Sequence, residues 1–259
     1  MKPLKRQDVA SQRTVVYPIK GRLALVTGAG GGIGKAVALG LASAGIDLAL
    51  VDITAERTQE TRAQAVSTGI EAHGFGADVG RSSDVEALIK EVTGTVAPID
   101  ILVHCAGIYP RSPVLSMSEE EWDRVHGTNL KSAFLLTRAV LPSMVDRDYG
   151  RIISFTSDLG STGIPQGSHY AASKAGLNVF TRSVARELSR AGVTINAIAP
   201  GPTDTGMLRG SNTAEYIAKV ASESPLGRLG RPEDVVSMVL FLVSEGGDAI
   251  TGQVLGLHY

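Results

Sequence analysis

From residue 22 onward, short apolar runs alternate with longer segments whose apolar residues recur three and four apart. The short runs are LALVT (23–27), DLALVD (47–52), the weaker EAHGFGAD (71–78), DILVHCAG (100–107), RIISFTS (151–157), VTINAIAP (193–200) and TGQVLGL (251–257). Most are rich in β-branched residues and read as strands. The helical segments are 33–44, 55–68, 82–96, 119–146, 168–190 and 232–243. Several carry end signals: Gly45 and Gly69 past two of them, Ser82 or Ser83 opening a third, and Pro232 opening the last. Ser118, followed three residues later by Glu121, predicts a capping box. The stretch 202–230 is polar and Gly-rich and reads as an irregular excursion.

Strict strand–helix alternation predicts an α/β fold. We expect a single Rossmann-like, doubly wound domain of about seven parallel strands, helices on both faces and right-handed crossovers. No repeat or linker interrupts the pattern, so the domain is expected over 22–259. Residues 1–21 form an N-terminal extension in which Lys2, Lys5, Arg6, Arg13 and Lys20 face one acid, Asp8. No apolar h-region follows, which argues against a secretory signal and for a flexible arm or a subunit contact.

Composition adds exclusions. A net charge of -1 gives no reason to expect nucleic acid or an acidic membrane as partner. No apolar run reaches the ~18 residues needed to span a bilayer. The single cysteine, Cys105, cannot form an internal disulfide, and a cytoplasmic setting is expected.

Candidate chemistry begins with TGAGGGIGK (27–35). A triphosphate loop needs G-x-x-x-x-G-K-[ST], but Ala29 stands where its first glycine belongs and Ala36 where its hydroxyl belongs. The G-x-G-x-x-G pattern also fails, at Ile33. What fits is T-G-x-x-x-G-x-G on Thr27, Gly28, Gly32 and Gly34, with Gly30 and Gly31 as spacers. Such a turn lets backbone approach a pyrophosphate at a helix N-terminus. Asp52 closes the second strand, where a carboxylate accepts from ribose hydroxyls and repels a 2′-phosphate, so NAD is expected over NADP. Arg57, five residues on, competes with that argument. Tyr170 and Lys174 are four apart and share a helix face. A neighbouring ammonium is expected to lower the phenol pKa toward neutrality, suiting it to proton transfer.

As an ordered set, TGAGGGIG (27–34), AD (77–78), CAG (105–107), Asn129, Ser157, YAASK (170–174), NAIAPG (196–201) and TGQ (251–253) resemble the short-chain dehydrogenase/reductase family over 22–257. The resemblance implies hydride transfer between a nicotinamide cofactor and a secondary alcohol or ketone. It makes Tyr170 the acid/base. Lys174 binds the nicotinamide ribose and depresses the tyrosine pKa, Ser157 hydrogen-bonds the substrate oxygen, and Asn129 holds a relay water. It places Gly28, Gly32, Ile33 and Gly34 at the pyrophosphate and Asp78 at the adenine. Val79, Ala106 and Gly107 are further cofactor contacts, and Pro200, Gly201, Thr203 and Thr205 lie beside the carboxamide. It also implies a homotetramer built on helices 119–146 and 168–190.

Two departures stand out. His104-Cys105 replaces an Asn-Asn pair, and two such residues without other ligands do not make a metal site. His258 stands where relatives carry an aspartate, which puts their C-terminal subunit contact in doubt. Tyr109, Asp158, His169 and Met207 are expected substrate contacts, with Arg111, Leu208 and Tyr216 nearby and 205–225 as a lid. The expected function is NAD-dependent interconversion of a secondary alcohol and a ketone. The alternatives are a 3-oxoacyl-thioester reductase using NADP and a non-catalytic cofactor-binding scaffold.

Overall fold

A computed structural model of the chain describes residue 19, residues 21–188 and residues 191–258. Most of the predicted extension, 1–18 and 20, lies outside the described residues. Ile19 is buried against the core, so packing begins before residue 22.

The strands are β1 (Leu23–Thr27), β2 (Asp47–Asp52), β3 (Ala72–Gly76), β4 (Ile101–His104), β5 (Gly150–Phe155), β6 (Val193–Pro200) and β7 (Val254–Leu257). All pair in parallel, in the order β3-β2-β1-β4-β5-β6-β7. The strand order reverses between β1 and β4, which opens a crevice beyond their C-terminal ends. The helices are α1 (Gly32–Ser43), α2 (Gln59–Val66), α3 (Ser82–Thr95), α4 (Glu119–His126), α5 (Ser132–Asp146), α6 (Leu159–Thr162), α7 (Ser168–Glu187), α8 (Gly206–Ser211), α9 (Ala214–Glu223) and α10 (Val236–Val243).

The period of two along each strand divides the core. Ala24 and Val26 of β1 pack with Val37 and Leu41 of α1 and Leu242 of α10. Leu23 and Leu25 face the other way, onto Val85 and Leu88 of α3 and Leu136 and Met144 of α5. Both faces are covered, which is why the strands read as unbroken apolar runs.

Four local expectations are corrected. The predicted helix 119–146 is two helices joined by a π-helical turn, Gly127–Lys131. Such turns admit one extra residue and often mark functional sites; here Asn129 lies within it. The excursion 202–230 contains α8 and α9, capped by the Thr205 and Thr213 hydroxyls, with no buried residue in either. Both are short and reach no core position, although α9 turns a half-buried stripe of Tyr216, Ile217 and Val220 inward. Neither Ser82 nor Ser83 caps α3; Arg81 is the N-cap residue and makes no side-chain cap bond. Ser118 accepts from the Glu121 N–H at 3.2 Å, but the Glu121 carboxylate turns to His169, so the capping box is half formed.

Candidate active site

A cleft of about 710 Å³ runs along the C-terminal ends of the strands. The β1–α1 turn forms its floor. Gly28 has φ +65° and Gly32 has φ +53°, both in the left-handed region that glycine favours. At Gly34 a Cβ would lie 2.1 Å from the Gly28 carbonyl oxygen, so helix and strand can approach this closely only without a side chain. Gly30 is more than a spacer, because a Cβ there would meet Asp52 Oδ2 and the Arg57 carbonyl, each at 2.8 Å. Gly31 faces open space in the cleft. It is the N-cap of α1, which has no side-chain cap and no acid in its first turn. That end of the helix therefore offers amides and a positive dipole to an anion, as a dinucleotide pyrophosphate requires.

Asp52 is held in place before any ligand arrives. Its Oδ2 accepts from Gly30 N at 3.0 Å and its Oδ1 pairs with Arg57 Nε at 2.7 Å. The Asp52 side chain is 12% exposed and that of Arg57 is 61% exposed. Asp78, Val79, Ala106, Gly107, Ile33, Pro200 and Thr205 line the same cleft. Gly201 and Thr203 do not; they line a smaller chamber next to it. Arg124 and Thr128, four apart on successive turns, also reach the cleft and were missed. Their shared helix face was the available signal.

Tyr170 and Lys174 lie on α7 against the end of β5. Tyr170 lines both the cleft and the smaller chamber, as do Thr156 and Met207 among others. The Tyr109 ring sits 4.5 Å from that of Tyr170, tilted by 49°. Burial pushes the Tyr170 phenol up to about 12, against a hydrogen bond from Ser157 that pulls it down. The expected depression by Lys174 is not seen. The ammonium stands 5.7 Å from the ring centroid and donates to the Phe155 carbonyl at 2.7 Å. Burial lowers Lys174 itself to about 8. Desolvation is thus the largest influence on both groups.

Asn129 is fully buried. Its Oδ1 accepts from Ile108 N at 2.8 Å, and its Nδ2 donates to Ile108 O at 3.0 Å and Ser173 Oγ at 3.2 Å. The side chain thus braces the β4 loop against α7. It lines neither cavity, and these three bonds engage its side-chain amide. His104 bonds Ser132 through Nε2 at 2.7 Å and stays neutral, since burial lowers its pKa to about 3. Burial pushes the Cys105 thiol up, so it is no thiolate. Among the described residues, no three His, Cys, Asp or Glu side chains group as metal ligands, and no helix is long and apolar enough to cross a membrane.

The smaller chamber, about 170 Å³, opens beside Ser157 and Tyr170. Tyr109, Asp158 and Met207 line it, with Leu208 and Tyr216. His169 does not. It is fully buried, and its Nε2 pairs with Glu121 of α4 at 3.2 Å. One residue before Tyr170, it projects from a different side of the helix. Ile164, Pro202, Asn212 and Val220 are lining residues that sequence reasoning missed. The C-terminal end of α8 is tied down: Ser211 Oγ donates to Tyr109 O at 2.7 Å, and Arg111 donates to Asn212 Oδ1 at 2.7 Å and lies 5.5 Å from the centre of the Tyr216 ring of α9.

Comparisons with known proteins agree with this geometry. A family model described as enoyl-(acyl carrier protein) reductase matches residues 28–257. The 3-oxoacyl-(acyl-carrier-protein) reductase FabG of Vibrio cholerae is 41% identical over 242 residues, covering 93% of this chain and 97% of the relative. A short-chain type dehydrogenase/reductase from Mycobacterium marinum superposes with a TM-score of 0.89 at 33% identity, covering 93% of this chain and 96% of the other. A protein described as an NAD(P)-dependent gluconate 5-dehydrogenase from Beutenbergia cavernae, solved with bound NADP at low occupancy, gives 0.87 at 34% identity, covering 92% and 95%.

Proposed function

The chain belongs to the short-chain dehydrogenase/reductase family of oxidoreductases, and from that premise we propose that it reduces the ketone of a 3-oxoacyl thioester to the hydroxyl, with Tyr170 as proton donor. One observation carries this reading: a phenol that stays protonated at neutral pH sits in the wall between a dinucleotide-sized cleft and an apolar chamber. A protonated phenol suits reduction, in which the substrate oxygen must gain a proton. The thioester class is supported by the Vibrio cholerae relative, and this alternative fits better than oxidation of an unspecified alcohol.

When bound, the nicotinamide dinucleotide supplies the hydride. The chain does the rest. The Gly28–Gly34 turn and the N-terminus of α1 hold the pyrophosphate. Ser157 donates to the ketone oxygen as negative charge grows there, and Tyr170 then gives its proton to that oxygen. Lys174, beside Gly107, holds a positive charge 5.7 Å from the centre of the tyrosine ring and favours phenolate as the proton leaves. Asn129 fixes the loop that carries Ile108.

NADP(H) is the leading carrier, supported by the Beutenbergia cavernae structure, with Arg57 free to leave Asp52 for a 2′-phosphate. NAD(H) is a second reading favoured by one observation, the carboxylate of Asp52 fixed at the end of β2. The test is turnover of an acetoacetyl N-acetylcysteamine thioester, with NADPH and with NADH, followed by loss of reduced nicotinamide. Tyr170→Phe is expected to cut kcat by about a thousandfold while the cofactor still binds. Consumption of a crotonyl thioester in preference to the 3-oxo compound, or turnover unchanged in Tyr170→Phe, would refute the proposal.

A further inference from the structure

We propose that His258 is a positioning residue of this active site: its imidazole engages Asp158 and keeps that carboxylate from opposing the negative charge that forms on the substrate oxygen. The inference rests on the reading of Ser157 and Tyr170 given above.

Asp158 directly follows Ser157, so their α-carbons are only about 3.8 Å apart. It lines the substrate chamber, and it is the one formally charged residue among the described residues that do so. An unpaired carboxylate there would raise the energy of a developing oxyanion. His258 Nδ1 lies 3.2 Å from Asp158 Oδ2. Burial pushes the Asp158 acid up, and His258 pulls it back toward the ionised form.

The backbone brings the histidine there. Leu257 of β7 pairs with Pro200 of β6, and Gly201 N donates to Leu257 O at 2.8 Å. The imidazole folds back over Gly256, where a Cβ would stand 2.9 Å from His258 Nε2. A side chain at 256 would therefore crowd the ring in this position. The relationship spans 100 residues of sequence and joins the first residue after Ser157 to the first residue after the sheet.

The test uses the full chain and steady-state kinetics on the acetoacetyl N-acetylcysteamine thioester. We expect H258A to lower kcat by roughly three- to tenfold, the range for a partly exposed charge near the reacting oxygen. H258K, which offers Asp158 an ammonium donor in place of the imidazole, is expected to recover most of that loss. In a D158N background H258A is expected to change nothing further, because no charge remains to offset. Equal losses in the two backgrounds would make the role structural and overturn the inference, as would no loss in either. A wild type that turns over and depends on Tyr170 while H258A is silent overturns this inference alone. A wild type without turnover overturns the proposed function and this inference with it.

Discussion

Replacing Asp52 by asparagine removes one negative charge from the cleft at the end of β2, together with the charge-assisted bond from Arg57. The amide oxygen can still accept from Gly30 N, now 3.0 Å from Oδ2, so the turn should keep its shape. For NADPH the change removes a repulsion. With a carboxylate about 6 Å from a 2′-phosphate of charge about -1.75, and an effective dielectric between ~40 and ~80, the repulsion is about 1 to 2.4 kcal/mol. For NADH the change weakens bonds to the ribose hydroxyls from charge-assisted to neutral, about 1 kcal/mol. Together these predict that the ratio of kcat/KM for NADPH to that for NADH rises by roughly 30- to 300-fold. The assay is initial rates with each carrier at saturating thioester, at low and high salt, since screening should shrink the effect on NADPH. Arg57 is the internal control. Freed from its 2.7 Å pairing with Asp52, it adds to the gain, so Arg57→Ala should reduce the NADPH rise without abolishing it. A ratio within about twofold of wild type would show that Asp52 does not face the 2′ position, and the reasoning would fail.

Three further outcomes follow from the site. Gly31→Ala should leave the melting temperature unchanged, because nothing lies within 4 Å of the new Cβ, yet weaken dinucleotide binding; Gly34→Ala, whose Cβ would meet Gly28 O at 2.1 Å, should lower both. Calorimetry beside cofactor titration separates them. Lys174→Met should abolish turnover but raise stability near neutral pH. The folded-state pKa, about 8, is below the ordinary 10.5, so the charged form is penalised in the fold; that cost is full below about pH 8 and fades as pH rises toward 10.5. Thermal melts at pH 7 and pH 10 should therefore show the stabilising effect shrinking at the higher pH. The rate of reduction should also fall as pH rises through about 8, where Lys174 loses its charge. A flat profile from pH 7 to 9 would contradict that assignment.

Some of this protein is fixed by local sequence. Strand and helix periods, the glycine turn and the four-residue spacing of Tyr170 and Lys174 are one-dimensional patterns, and each depends on neighbours within a turn or two. Hence β1, β2 and β6 fall on their predicted residues. His169 is different: it lies about 100° round α7 from Tyr170, and only its buried pairing with Glu121 of α4 shows which way it turns. Other properties arise only when distant segments meet. The pairing of Tyr170 with Lys174 suggested a lowered phenol pKa, yet burial beneath Tyr109 drives it upward. Asn129 became a brace because a π-helical turn delivers it to Ile108. Asp158 found His258 because β6 and β7 pair in one register. Sequence determines which groups are available and what each segment does locally. Desolvation and partner choice depend on what surrounds a group in space, and only the folded chain sets that.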